Sequence, residues 1–246
     1  NVWCAAGKGS FGTNELVRQV RLSQLSEVVS HRKLIVPQLG ATGVAAHEVR
    51  RRCGFRVVWG PVRARDIKPF LAARMRATDA MRRVTFTLGE RLALVGVEVA
   101  VALKWVALLL LALMLLADGE STPTRLAAAV SRGAPILAGL LTGTVLVPVL
   151  LPWLPGRAFS LKGAGLGAVV VGATILAMSD VYSAPGKMQA FLFGTAAASF
   201  FAMQFTGAST FTSPSGVAWE MRRALPFQLG AAVLAIGIGV VRVIVS

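Results

Sequence analysis

Apolar and polar residues come in short mixed runs over the first third of the chain and give way to long apolar stretches after about residue 91. The opening twelve residues, NVWCAAGKGSFG, read as a small-residue turn running into a glycine-rich loop. Thr13 is placed to cap a helix reaching about Val29, with Glu15 near its positive end and Leu16, Val20, Leu25, Val28 and Val29 as an apolar stripe. Leu34–Gln38 predicts a buried strand, followed by the loop Gly40-Ala41-Thr42-Gly43 and a helix from Val44 to about Arg52, capped by Thr42 and ended by Gly54. Phe55–Trp59 predicts a second strand, and Asp66 to about Arg76 another helix. Residues 80–91 leave room for one more short strand.

Strand, helix, strand, helix with short links predicts a parallel α/β unit, in which ligands sit beyond the carboxyl ends of the strands. Those ends are the loops Gly40–Gly43 and Gly60–Arg65. A doubly wound sheet needs more strands than these, and the chain starts at Asn1 without Met, so the expectation is a partial domain over residues 1–91 that lacks its beginning.

Five apolar stretches follow, at about 96–117, 134–154, 163–182, 188–207 and 226–245, each near the roughly 20 residues that cross a bilayer as a helix. Residues 92–246 are therefore expected to form an all-α transmembrane domain of five helices. Arg157, Lys162, Arg222 and Arg223 in alternate loops favour a cytoplasmic first domain and an outer C-terminus, in a multi-pass cytoplasmic-membrane protein. Pro148 and Pro152 are expected to kink or end the second span, and glycines 163, 165, 167 and 172 to let the third pack closely. Glu98, Lys104 and Asp180 lie near span ends, where snorkelling to the interface explains them.

Composition agrees with this division. Mean hydropathy is +0.66, and residues 1–91 hold 17 Lys/Arg against 6 Asp/Glu, whereas residues 92–246 hold 9 against 5. Basic residues on the cytoplasmic side of spans explain the net charge of +15 better than nucleic-acid binding does. The two cysteines, Cys4 and Cys53, exclude a disulfide framework and fit a reducing compartment. His31 and His47 lie 16 residues apart with no ligand pattern around them, and no phosphate loop or Ser-His-Asp set stands out.

The string Asn1-Val2-Trp3-Cys4-Ala5-Ala6-Gly7-Lys8-Gly9 closely resembles the cap-helix signature of the HgcA family, the corrinoid proteins of anaerobic mercury methylation. The resemblance continues through HRKLIVPQLGATG (31–43), VVWGPVRA (57–64) and MRRVTFT (81–87). It implies a Rossmann-like α/β corrinoid-binding domain with Cys4 as the lower axial ligand of cobalt in cobalamin or a related corrinoid. Val2, Trp3, Ala5, Ala6, Gly7 and Lys8 would lie against the ring, with Asn1 fixing the helix start or bonding a corrin amide. Strand topology adds Gly40, Ala41, Thr42, Gly43, Gly60 and Pro61 as candidates for the cofactor cradle.

A thiolate is a soft, electron-rich donor, and trans to a methyl group it pushes density onto the metal, favouring release of the methyl towards an electrophile such as mercury(II). Small residues around Cys4 let the backbone approach a flat macrocycle, and Lys8 would help hold the thiolate. By the same resemblance a separate methyltransferase supplies the methyl, and an HgcB-like ferredoxin with two 4Fe–4S clusters returns electrons. Two cysteines cannot hold such a cluster in this chain. The basic first domain would help dock an acidic ferredoxin. Two other readings compete: a methyl-carrier corrinoid protein of acetyl-CoA-type one-carbon metabolism, and a membrane transporter with a basic soluble domain, which would show polar residues inside its spans.

Overall fold

The structure is a computed structural model that describes residues 2–7, 9–115, 121–208 and 214–245. It divides into two compact units, Asn1–Thr85 and Phe86–Ser246.

The first unit runs α1 (Val2–Gly7), α2 (Thr13–Leu22), α3 (Leu25–Val28), β1 (Lys33–Pro37), a 3-10 turn (Gln38–Thr42), α4 (Ala46–Cys53), β2 (Arg56–Gly60), a 3-10 turn (Ala64–Asp66), α5 (Ile67–Ala72) and α6 (Asp79–Arg82). The strands pair in parallel, with Lys33 opposite Arg56 and Pro37 opposite Gly60. Strand periodicity sends Leu34, Val36, Val57 and Trp59 to one face, where they meet Val17 of α2 and Val49 of α4. Burying each such valine contributes about 1.5–3 kcal/mol, so this cluster holds the β1–α4–β2 crossover together. Ile35, on the other face, is 45% exposed.

A Rossmann-like α/β domain is therefore not what the first third forms. The chain is 77% helical, and among the described residues the sheet stops at two strands. The extra strand expected within 80–91 is absent: the Thr78 hydroxyl accepts from the Met81 amide to start α6, and Phe86 takes a left-handed backbone (φ 49) just before the next helix. The single helix expected from Thr13 to Val29 is broken. The Ser23 hydroxyl bonds back to the Gln19 carbonyl (2.7 Å) and Gln24 adopts φ 47, which separates α2 from α3.

The second unit contains α7 (Leu88–Leu115), α8 (Thr122–Leu141), a π-helical turn (Thr142–Leu146), α9 (Val147–Leu150), α10 (Phe159–Ala177), α11 (Ala184–Gln204) and α12 (Pro214–Val245). Four segments are long and apolar enough to cross a membrane: Leu88–Leu115, Thr122–Leu150, Phe159–Ala177 and Gly216–Arg242. By length and composition this is a membrane protein. The fourth expected span, about 188–207, forms α11, which falls outside that set because Lys187, Gln189, Gln204 and many small residues dilute its hydropathy. Its surroundings explain why this is tolerated. It packs on α8, α10 and α12, and buries Gly186, Ala190, Gly194, Ala198, Ser199, Ala202 and Met203.

Small residues set that packing. A Cβ on Gly143 would lie 2.6 Å from the Ala198 carbonyl oxygen, one on Gly163 2.5 Å from the same oxygen, and one on Gly194 2.6 Å from the Pro135 oxygen. Backbones thus touch directly across α8, α10 and α11, the close approach that small-residue membrane interfaces exploit. The carboxyl end of the second span is closed by cations. Arg91, 4% exposed, donates to the carbonyls of Pro148 (3.0 Å) and Val149 (2.5 Å), and Lys162 donates to that of Leu151 (3.0 Å). Both satisfy carbonyls with no helical donor and lie at the negative end of the helix dipole.

Candidate functional site: the helix that carries Cys4

Helix α1 supplies the backbone of Gly7 and of Trp3 and Cys4, whose side chains, like the whole of Asn1 and Lys8, lie outside the described residues. What the structure defines is how this helix is held. After α1, Gly9 takes φ +82, a conformation glycine adopts freely. The chain reverses there, with the Gly9 amide on the Ala6 carbonyl (3.2 Å) and the Phe11 amide on that of Ala5 (3.0 Å). Ser10 adds a hydroxyl bond to the Ala5 carbonyl (3.2 Å).

The reversed segment then seats on the turn at the carboxyl end of β1. A Cβ on Gly40 would lie 2.7 Å from Cε1 of Phe11, and one on Gly43 2.6 Å from the Ala6 carbonyl oxygen and 2.9 Å from that of Phe11. The predicted glycines 40 and 43 therefore make room for α1 and Phe11 themselves. Thr13 closes the arrangement: its amide donates to the Gly43 carbonyl (3.1 Å), and its hydroxyl accepts from the Ala45 amide (2.8 Å). Substituting Gly43 with Ala is expected to lift α1, costing about 1–3 kcal/mol locally as overpacking does. Hydrogen exchange over residues 5–13 should quicken, whereas Ala41→Ser, at an exposed position, leaves it unchanged.

Of the other candidates, Val2 and Ala5 are half-buried, Ala6 is buried, and Ala41 and Thr42 are exposed. Gly60 and Pro61 are buried at the end of β2, where a Cβ on Gly60 would stand 2.9 Å from Cγ2 of Ile35. α1 and the Gly40–Gly43 loop are thus brought together, and β2 touches the same turn. Sequence reasoning missed three participants. Phe11 and Thr13 are clasps that only the tertiary contact reveals. Gln38 is more informative: its side-chain oxygen is buried without a hydrogen-bond partner, in the turn on which α1 rests. A polar residue directly after the apolar strand was the available signal.

The remaining polar groups lie elsewhere. His31 and His47 are exposed, and Cys53 is half-buried with its thiol 3.1 Å from the Val49 carbonyl. At the exposed start of α2, hydrogen bonds from Arg18 and Gln19 hold the Glu15 carboxyl below its usual pKa. A shallow cavity of about 500 Å³ is lined by Ala46, His47, Arg50, Arg51, Arg56 and Val57, giving the unit a cationic face.

Among the described residues, no group of three His, Cys, Asp or Glu stands together. One observation can be set beside the corrinoid expectation. The rim of a corrin carries amides, the donors that the bare Gln38 oxygen lacks. Compared with family models, characterised proteins and solved structures, the chain matches none.

Proposed function

We propose that the chain is a membrane-anchored, corrinoid-dependent methyltransferase that passes a methyl group to inorganic mercury(II), giving methylmercury. The observation that supports this reading is the seating of the helix that carries Cys4 on the turn after β1, a turn that also holds the unsatisfied Gln38 side-chain oxygen. The nine-residue resemblance around Cys4 gives that ligand its identity. A bound corrinoid would supply a cobalt centre able to take up a methyl group and release it to an electrophile.

The chain's own residues do the rest. Cys4 would hold the cobalt as thiolate, with Lys8 favouring that charge. Ala5, Ala6 and Gly7 keep the approach free of bulk, and Gly40, Gly43, Phe11 and Thr13 fix the height and tilt of α1. Gln38 would accept a hydrogen bond from the cofactor's edge. The cationic face at Arg50 and Arg56 suits an acidic electron donor such as an HgcB-like ferredoxin, with a separate methyltransferase feeding the site. In this reading the first unit lies in the cytoplasm and the C-terminus outside the cytoplasmic membrane, as the distribution of arginine favours.

The test is reconstitution of the full chain with cobalamin, followed by visible absorption and methylmercury formation. Uptake with a sulfur-ligated spectrum and transfer to mercury(II) is expected. Absence of cobalamin uptake removes the assignment.

A further inference from the structure

Methyl transfer does not account for how the arginines of the first unit are spent. Helix α4 ends in three of them in a row, a placement that suits the negative end of the helix dipole. Arg52 turns to α2 and donates to the Asn14 side-chain oxygen (2.6 Å), and Arg51 donates to Glu48 three positions earlier (2.8 Å). The Arg50 guanidinium has no partner among the described residues, and neither has that of Arg56. The helix dipole offers no reason for Arg56, which comes after the turn at Gly54 and opens β2.

The cavity of about 500 Å³ gathers these groups. Ala46, His47, Arg50 and Arg51 line it from α4, in pairs four positions apart that share a helix face, and Arg56 and Val57 line it from β2. Its charge is unbalanced. Three guanidinium groups stand beside one carboxylate, that of Glu48, which leaves two positive charges uncompensated. The strand register adds to the excess, because Arg56 lies directly opposite Lys33 of β1, and like charges facing each other across a sheet destabilise it. Solvation explains exposed arginines taken singly. It gives no reason for setting a strand arginine against a lysine beside a cavity that two further arginines already line.

We propose that this cavity binds the phosphoryl group of a small organic phosphate monoester. Such a group carries a charge of about −1.5 to −2 at neutral pH, close to the excess that Arg50, Arg51 and Arg56 leave over Glu48. Its three terminal oxygens accept from guanidinium forks, whereas a carboxylate brings half the charge and two oxygens. The cavity falls within the roughly 300–1,000 Å³ typical of small-molecule sites, and Ala46 and Val57 give the carbon part of the ester an apolar wall. No residue of α1 lines it, nor does Gly40 or Gly43, so the inference stands apart from the corrinoid reading. A soluble ester and the headgroup of phosphatidic acid present the same chemistry. Either would hold Arg50 and Arg56 in competition with an acidic protein.

The experiment uses the full chain in dodecyl maltoside at constant ionic strength, titrated calorimetrically with phenyl phosphate and, as the monoanion of similar shape, phenyl sulfate. Saturable binding of phenyl phosphate is expected, about tenfold tighter than that of phenyl sulfate because the dianion meets twice the attraction. Arg50→Gln and Arg56→Gln should each weaken it about tenfold, the scale of one lost charge-assisted contact. Lys68→Gln removes an exposed charge that does not line the cavity and should leave binding unchanged. The same titration in phosphatidylcholine nanodiscs separates the two sources. Added phosphatidic acid suppresses phenyl phosphate binding if the site takes a headgroup and leaves it intact if the site takes a soluble ester, and both results support a phosphoryl site. Absence of saturable phenyl phosphate binding by the wild-type chain overturns the proposal. So does equal affinity for phenyl sulfate, or binding that both arginine variants retain in full, which would make this a diffuse cationic surface. Binding of a glutamate-rich peptide with none of phenyl phosphate would assign the arginines to an acidic protein and equally overturn it.

Discussion

Cys4→Ala in the cobalamin-loaded full chain is expected to lose the sulfur-ligated absorption bands and to cut methyl transfer to mercury(II) about 100-fold or more. Outer-shell partners of metal ligands already cost 10–100-fold, so removing the ligand itself should lie at or beyond that range. Cys4→His separates two roles of the residue. A nitrogen below the metal would preserve ligation while donating less density, so cofactor retention should survive better than transfer. Cys53→Ser is the matched control, because the Cys53 thiol meets the Val49 carbonyl and packs at the edge of the valine cluster, away from the helix that carries Cys4. Both signals should stay near wild type in that variant. An unchanged spectrum and rate in Cys4→Ala would remove the mechanism.

The largest effect on stability is expected at Gly139. A Cβ there would run into the Gly194 backbone, carbonyl included, and neither helix can yield by rotating a side chain. Gly139→Ala should cost at or above the upper end of the roughly 1–3 kcal/mol typical of overpacking, read as a lower unfolding midpoint in detergent. Two comparisons keep the result specific. Gly172→Ala meets only a Phe191 ring atom at 3.9 Å and should be close to neutral. Gly237→Ala meets nothing within 4 Å in the middle of α12 and should stabilise by up to about 1 kcal/mol through helix propensity. A comparable loss in all three would mean that packing contact is not what separates them.

The sequence was most legible where the pattern is local. Leu34–Gln38 and Phe55–Trp59 announced β1 and β2 to within a residue, and the long apolar stretches announced four helices long and apolar enough to cross a membrane. Failures came where a tertiary contact or a single hydroxyl outweighs periodicity. The stripe through Val28 and Val29 favours one helix from Thr13, yet Ser23 bonding back to Gln19 stops it after Leu22. The βαβ pattern suggested a doubly wound sheet because a crossover looks the same locally whether its sheet has two strands or six. Thr42 was expected to cap a helix, whereas α4 starts at Ala46, and the residue that binds the Ala45 amide is Thr13, some thirty positions away.

The candidate site was half legible. The motif names Cys4, but the reason for Gly40 and Gly43 lay in Phe11 and Ala6 folding onto them, which spacing cannot reveal. In the membrane unit the sequence suggested few polar residues within spans. Ser199 and Gln228 passed as ordinary helix positions until three helices brought them beside Ser160 and Glu220.

The modest hydropathy of α11 bears on how the protein is made. A segment carrying Lys187, Gln189 and a run of alanines is a poor candidate to leave the insertion machinery alone, whereas α8 and α10 each qualify by themselves. Biogenesis would then favour an order in which α8 and α10 enter the bilayer first and present their glycine grooves. α11 would dock against them through its glycine, alanine and serine face once they are in place, so its position depends on their packing and not on its own hydropathy.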